Sequence, residues 1–303
     1  MRVAIIDLGT NTCNLLIADV KNGNWEAVHR SKELVKLGRD GIHKQLLTPS
    51  AFQRGLTALK NHLKKIKHFN ADQIQAYATS AIRNASNGNE FVELAKYELN
   101  INLEVIDGNQ EADFIFSGVL QGLNSNLNRF LVLDIGGGSN EFILANNDRI
   151  LWKQSFEIGM ARVLERFVPD DPIAPEQITA MEQWFETELK DLWQRIDHEP
   201  IITLVGCSGA FDTFADLIEQ VNPETHIRKS SEIMLEDFLR IYKLLLATNK
   251  EERNQLKGMD PMRVEMIVVS SVFVNFIVHK LGIKRIIQTN YSLKEGALTR
   301  FLT

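Results

Sequence analysis

Apolar residues in this chain come in two spacings. Short unbroken runs, Val3 to Ile6, Leu15 to Ala18, Phe130 to Leu133 and Phe142 to Ala145, are rich in strand-favouring residues and predict buried strands. Phe52, Leu56, Leu59, Leu63 and Ile66 recur every three to four positions and predict a long helix, opened by Thr48 as cap and Pro49 in the first turn. Read through the chain, these spacings predict a hairpin over residues 2–20 and a strand from Trp25 to Leu37. Strands over Ile74–Ala78 and Leu103–Ile106 follow, then a helix from Gln110 through Leu123 capped by Asn109. After a second hairpin come a strand over Arg149–Ile158, a helix through Val163, Leu164 and Phe167, an amphipathic helix over 176–196 and a strand over Ile201–Val205. A helix to Ile218, a mobile polar connection over 222–232 and helices over Leu235–Ala247 and Lys250–Leu256 lead to an apolar helix over 261–281. Arg285–Gln288 reads as a last strand, Asn290–Gly296 as a polar turn and Leu298–Leu302 as a terminal helical piece.

The two hairpins are one pattern written twice. With Ala4 aligned on Leu131, Ile5-Ile6-Asp7-Leu8-Gly9 falls on Val132-Leu133-Asp134-Ile135-Gly136, Thr12 on Ser139, and Leu15 to Ala18 on Phe142 to Ala145. The shared positions supply an acid able to hold a metal, a turn glycine, a hydroxyl and a returning apolar strand. Gly136-Gly137-Gly138 carry no Cβ, so their backbone N–H groups can approach an anion closely, and Ser139 adds a hydroxyl donor. Glu141 opens the returning strand with a second carboxylate. A repeat of this kind predicts two similar halves whose turns grip a phosphate chain from both sides, with Gly9-Thr10-Asn11-Thr12 as the first turn. A third glycine turn, Gly206 to Ala210, precedes a helix and suits an anion there through Ser208 and Gly209.

Composition narrows the function. The chain has 303 residues, enough for two domains, with 44% hydrophobic and 24% charged residues. A formal charge of −5 speaks against a broad nucleic-acid surface, so any cations for a polyanion must be concentrated locally. Lys32, Lys36 and Arg39 around the Lys36–Gly41 loop are such cations, or else guards of an exposed strand edge. Arg83 stands where a strand ends and a helix begins, the usual ligand edge of an α/β sheet, and its guanidinium can fork to a phosphate. Glu111 follows another strand end; an acid in a first helical turn also simply complements the helix dipole. Two cysteines, Cys13 and Cys207, both placed in glycine turns, have no metal-ligand spacing, and a reducing cytoplasm is expected. No secretory leader is expected, and the run Met266–Val278 is too short to span a membrane, so it is expected to be buried in the chain or against a second copy. No nucleophile–His–acid set or zinc-type His pair is visible.

Together these residues resemble the exopolyphosphatase / guanosine pentaphosphate phosphatase family, nearly end to end. The first hairpin is similar to the family's D-x-G-[ST]-N-[ST] loop, Ala81-Ile82-Arg83-Asn84-Ala85 to its A-[LI]-R-x-A segment, and Gly108-Asn109-Gln110-Glu111-Ala112 to its G-x-E-E-A-R helix start. Asp134 to Glu141 resembles its D-I-G-G-G-S-x-E loop and Gly206 to Gly209 its G-A-S-G-T turn. Glu252-Arg253 through Pro261, Arg263 and Ile267, and then Lys294-Glu295-Gly296, resemble its C-terminal helices and ending.

The resemblance implies the actin-like ATPase, ribonuclease-H-like α/β fold, with two domains around a central cleft: residues 1–122, completed by 292–303, and residues 123–291. It implies Mg2+-dependent hydrolysis of a terminal phosphoanhydride, in inorganic polyphosphate or in guanosine pentaphosphate (pppGpp) or another nucleoside triphosphate. Glu111 would take a proton from the attacking water. Asp134 and Glu141 would position water and magnesium, with Asp7 as a further metal ligand. Gly9 to Thr12, Arg83, Gly136 to Ser139, Ser208 and Gly209 would hold phosphate oxygens. Three departures stand out: Gln110 for the first glutamate of the family's pair, Asp113 for its arginine, and Ser270-Ser271 for Ala-Gly. They leave open a sensor that binds phosphate chains without turnover; the fold leaves open a sugar or acetate kinase. The short length predicts action on shorter substrates, and the apolar helix a homodimer.

Overall fold

The computed structural model describes residues 1–124, 127–196, 200–223 and 228–302. Val3 to Ile6 are shielded on both faces, as an unbroken apolar run demands, and form the centre of β1 (Arg2–Leu8). β1 pairs antiparallel with β2 (Thr12–Lys21), which pairs antiparallel with β3 (Asn24–Leu34) across the Asn22-Gly23 turn. Both turn residues take positive φ, 53° and 71°, as a tight hairpin requires. β4 (Gln73–Ala78) and β5 (Leu103–Val105) extend the sheet in parallel on the other side, giving β3-β2-β1-β4-β5.

α1 (Pro49–His68) starts on the Thr48 cap, whose Oγ1 accepts from Ala51 N at 3.2 Å. Its apolar face and that of α3 (Gly88–Leu99) bury Leu59, Ile66, Phe91 and Ala95 against Ile6, Leu15, Ala76 and Ala78. The short α2 (Ser80–Arg83) follows β4, and α4 (Gly108–Gly122) follows β5.

The second sheet repeats this series. β6 (Phe130–Ile135), β7 (Asn140–Ala145) and β8 (Ile150–Phe156) are antiparallel neighbours. β9 (Thr203–Cys207) and β11 (Arg285–Thr289) run parallel on the other side, and β10 (Ser230–Ile233) is an added antiparallel edge strand. The order β10-β11-β9-β6-β7-β8 thus contains the order of the first sheet, with β6 in the place of β1. Both sheets have the ribonuclease-H-like arrangement that the resemblance implies.

The helices after β8 are α5 (Met160–Phe167), α6 (Pro175–Glu188), α7 (Lys190–Ile196), α8 (Gly209–Glu219), α9 (Leu235–Ala247), α10 (Lys250–Asn254) and α11 (Ile267–Leu281). α12 (Leu293–Leu298) packs against β1. The chain divides into two compact units. One is Met1–Gln121 with Gly136–Ser139 and Ser292–Thr303; the other is Gly122–Ile135 with Asn140–Tyr291.

Several expected boundaries move, each for a local reason. The helix over 176–196 is two helices meeting at Leu189. The buried residues Met181, Phe185, Leu189, Leu192 and Ile196 keep helical spacing through the break, so periodicity reads one helix. The helix expected from 261 begins at Ile267; Asp260 holds residues before it in turns through Met262 N (2.9 Å) and Arg263 N (2.8 Å). α4 is capped by Asp107, not Asn109: its Oδ1 accepts from Asn109 N and Gln110 N, both at 2.8 Å.

The connection over 222–232 ends as strand β10, while 224–227 lie outside the described residues. Asn290–Gly296 is not a polar turn: Leu293 starts α12, opened by a box in which Ser292 N donates to Glu295 Oε2 at 3.0 Å. Cys13 and Cys207 lie on strands, free and fully buried, rather than in turns. Ile267 to Val278 of α11 are buried in the core of their own chain, apart from half-buried Phe276, so their composition needs no second copy. Among the described residues, no helix is long and apolar enough to cross a membrane.

Candidate active site

The first turn, Gly9-Thr10-Asn11, is closed by Gly9 N donating to Thr12 O at 3.0 Å. The second is closed by Gly136 N donating to Ser139 O at 3.0 Å, the same bond at the aligned positions. Strand register agrees as well: Asp7 faces Asn14, and Asp134 faces Glu141. The repeat seen in the residues is therefore a repeat of hydrogen bonds and register.

Gly136–Ser139 belongs to the same unit as the first turn. A Cβ on Gly137 would fall 2.1 Å from Asn11 Nδ2; one on Gly138 would fall 2.4 Å from Thr10 Oγ1 and 2.5 Å from Ser80 Oγ. An added Cβ at either position would displace these side chains, and the two turns are in contact. The carbonyls of Thr10 and Asn11 are taken by Leu37 N (2.6 Å), Val35 N (2.8 Å) and Lys36 N (3.1 Å). The buried Thr10 Oγ1, by contrast, has no hydrogen-bond partner. A bound water, an ion or a ligand oxygen would satisfy such a hydroxyl.

Arg83 and Glu111 meet in this unit. α2 carries Arg83 past the end of β4, and the first turn of α4 carries Glu111 past the end of β5. Arg83 Nη1 donates to Glu111 Oε2 at 2.8 Å and to Ile106 O at 3.0 Å. Both side chains are largely shielded, 16% and 10% exposed. The departures nearby are accommodated separately: Gln110 Nε2 donates to Glu104 Oε1 at 2.9 Å, and Asp113 is exposed. Ser271 Oγ donates to Val268 O inside α11.

In the other unit, Asp134 and Glu141 face each other across β6 and β7, both buried. Ser155 Oγ on β8 donates to Glu141 Oε1 at 2.7 Å. Cys207 pairs in register with Asp134 on β9; burial, together with the charge of and hydrogen bond to Asp134, pushes its thiol up, so it stays protonated. Two opposed buried carboxylates suit a divalent cation. Among the described residues no group of three or more His, Cys, Asp or Glu is gathered for a metal. A pair of carboxylates is the kind of donor set a magnesium-type ion takes, its shell completed by water and substrate phosphate. Asp7 accepts from Asn14 Nδ2 at 3.0 Å.

The third turn is shorter than expected. Gly206 and Cys207 belong to β9, and Gly206 is glycine because the Phe211 ring lies 2.2 Å from where a Cβ would be. Ser208 and Gly209 remain as the turn. Ser208 Oγ donates to Ile135 O at 2.9 Å, and its backbone stands at φ 71°, ψ 173°, a region nearly reserved for glycine. A Cβ on Gly209 would meet the Arg263 guanidinium at 2.2 Å.

Ser80, Ser155 and Arg263 are neighbours that the site reading of the sequence missed. Ser155 is found only through strand pairing, and Ser80 and Arg263 only through packing.

Residues 16–303 match the Ppx/GppA phosphatase family. The exopolyphosphatase of Cytophaga hutchinsonii has a solved structure 38% identical to the chain, with a TM-score of 0.95, over 100% of this chain and 98% of that one. The Ppx/GppA enzyme of Aquifex aeolicus is 26% identical with a TM-score of 0.81, over 99% of each. Exopolyphosphatase 2 of Mycobacterium tuberculosis is 28% identical over 97% of each chain. A bifunctional 3-dehydroquinate synthase/phosphatase of Fusobacterium nucleatum is 30% identical over 97% of this chain, which spans 46% of its length. The chain belongs to the Ppx/GppA phosphatase family, and with it to the phosphoanhydride hydrolases.

Proposed function

We propose that this protein is an exopolyphosphatase that releases orthophosphate from the end of inorganic polyphosphate, with Mg2+ or another divalent cation. The observation that carries this reading is the contact between the two glycine turns, with the unpartnered Thr10 hydroxyl between them. N–H groups and hydroxyls of Gly9 to Thr12 and Gly136 to Ser139 take the oxygens of a phosphate chain. Phosphoryl transfer asks a protein mainly for positioning and charge neutralisation, and turns of this kind supply both.

Glu111 is the general base. Water attacks the terminal phosphorus, its proton passes to the Glu111 carboxylate, the P–O–P bond breaks, and the electron pair leaves with the shortened chain. Arg83 orients Glu111 by its 2.8 Å bond and presents its guanidinium to phosphate oxygens. Asp134 and Glu141 are the residues that would hold the cation. When bound, the cation neutralises phosphate charge. Ser208 and Gly209 lie at the start of α8 in the other unit, where the Ser208 hydroxyl is given to Ile135 O. A cytoplasmic setting belongs to the same reading, since two buried free thiols suit a reducing compartment.

The test is orthophosphate release from polyphosphate of defined length and from pppGpp, side by side, with magnesium and with chelator. Release from polyphosphate in magnesium, abolished by Glu111→Gln while binding persists, is the expected result. Preference for pppGpp would reassign the substrate. Binding of both without release would make the protein a sensor of phosphate chains, and release only with an added acceptor would make it a kinase.

A further inference from the structure

One row of side chains crosses each sheet at the hairpin ends. In the first sheet, Tyr77 on β4, Asp7 on β1, Asn14 on β2 and Lys32 on β3 stand side by side in register. In the second, Cys207 on β9, Asp134 on β6, Glu141 on β7 and Ser155 on β8 stand at the corresponding places. The rows match strand for strand and differ in charge. The first sets one acid beside an amide, Asn14 Nδ2 donating to Asp7 Oδ2 at 3.0 Å, and ends on a lysine. The second sets two acids side by side, and none of its four residues is a cation.

Two carboxylates directly opposite each other repel, and burial of Asp134 and Glu141 withdraws the water that would weaken the repulsion. Ser155 answers part of this charge. Its Oγ donates to Glu141 Oε1 at 2.7 Å, within the range of a charge-assisted bond. The serine is also held in place. On the other face of the sheet, Phe142 and Phe156 pack edge to face with centroids 5.6 Å apart, and the buried Asn140 Nδ2 donates to Ile158 O at 3.0 Å. These contacts lie on both sides of the Glu141–Ser155 pair along the strands and fix the register that brings the two together.

A hydroxyl fixed in this way holds a carboxylate in one orientation, and such outer partners commonly set how well a ligating side chain meets its ion. We infer that Ser155 is a positioning residue, its hydroxyl holding the Glu141 carboxylate in place for a divalent cation shared with Asp134. Asp7, opposite an amide in the matching row, has no second acid beside it, so the cation belongs to the second row.

The inference rests on the cation reading above, and metal binding tests it without turnover. Mn2+, a paramagnetic stand-in for Mg2+, is titrated into the full chain, and the free ion is read by electron paramagnetic resonance. Thermal unfolding in chelator is measured in parallel. Ser155→Ala should bind Mn2+ about ten- to hundredfold more weakly than wild type. Ser155→Thr, which keeps the hydroxyl and suits a strand, should bind as wild type does. If Ser155→Ala does not fold, Ser155→Val against Ser155→Thr makes the same comparison at equal shape. Unchanged affinity without the hydroxyl, or an equal loss in Ser155→Thr, would overturn the assignment. Weakened binding in Glu141→Gln with none in Ser155→Ala removes this inference alone. Equal binding by Glu141→Gln and wild type, or no binding by wild type, removes the cation reading as well. Binding that depends on Ser155 in a protein that releases no phosphate removes the hydrolase reading and leaves this inference standing.

Discussion

Arg83 Nη1 sits 2.8 Å from Glu111 Oε2, and the same nitrogen holds the Ile106 carbonyl at 3.0 Å. One guanidinium therefore ties the start of α4 to the end of α2 and sets the direction of the carboxylate. Arg83→Ala strands a shielded acid and is expected to cost about 3 kcal/mol in denaturant unfolding. Arg83→Ala with Glu111→Ala should cost less than the single change at Arg83. Phosphate release should fall in both variants, and equal stability of Arg83→Ala and wild type would show the pair to be slack.

Gly137 leaves no space between the two turns, because its missing Cβ would lie 2.1 Å from Asn11 Nδ2. Gly137→Ala should move Asn11 and lower kcat/KM by about a hundredfold, the scale of an ångström-sized misplacement. Adding Asn11→Ala should restore the melting temperature without restoring activity. Full activity in Gly137→Ala would mean the turns are not held as close as the glycines allow.

Ser208 carries strain of roughly 1–3 kcal/mol at φ 71°, ψ 173°, partly offset by its Oγ bond to Ile135 O, worth about 1 kcal/mol. Ser208→Gly is expected to melt at or above wild type and to turn over more slowly. Ser208→Ala keeps the strain, loses the bond and should be the less stable of the two. A Ser208→Gly protein with unaltered kinetics would make the residue structural only.

Glu295 is wholly buried in α12, ion-paired with Arg30 and close to Lys294. Burial disfavours its charge, but Lys294, Arg30 and the Ser292 N–H together outweigh burial and hold the carboxyl below its ordinary range. A depressed carboxyl stabilises the fold fully above its unfolded value of about 4.3, and that contribution is lost as pH falls through the folded value. Melting temperature should therefore drop as pH is lowered below about 4.3, and Glu295→Gln should flatten that limb. An identical acid limb in the variant would show that other groups govern it.

The central hairpins were legible because their chemistry is local. Asp7 and Asp134, the turn glycines, Thr12 and Ser139 each lie within a few residues of their own turn, so spacing alone exposes the repeat. Helix starts were legible where one side chain decides them, as at Thr48. They were misread where a neighbour competes, as when Asp107 takes the cap expected of Asn109. Periodicity could not reveal the break at Leu189, since the buried stripe continues through it.

Residue order alone was enough for the two strand–turn–strand units, the acids at their ends and the α/β class, because these depend on side-chain type and short-range geometry. It could not say that Gly137 is glycine on account of Asn11, that Arg83 is bound to Glu111, or that Gly206 makes room for Phe211 rather than for an anion. Those facts join side chains through packing rather than through spacing. They depend on the contact distances and strand register that exist only once the sheets have formed and their faces have been packed.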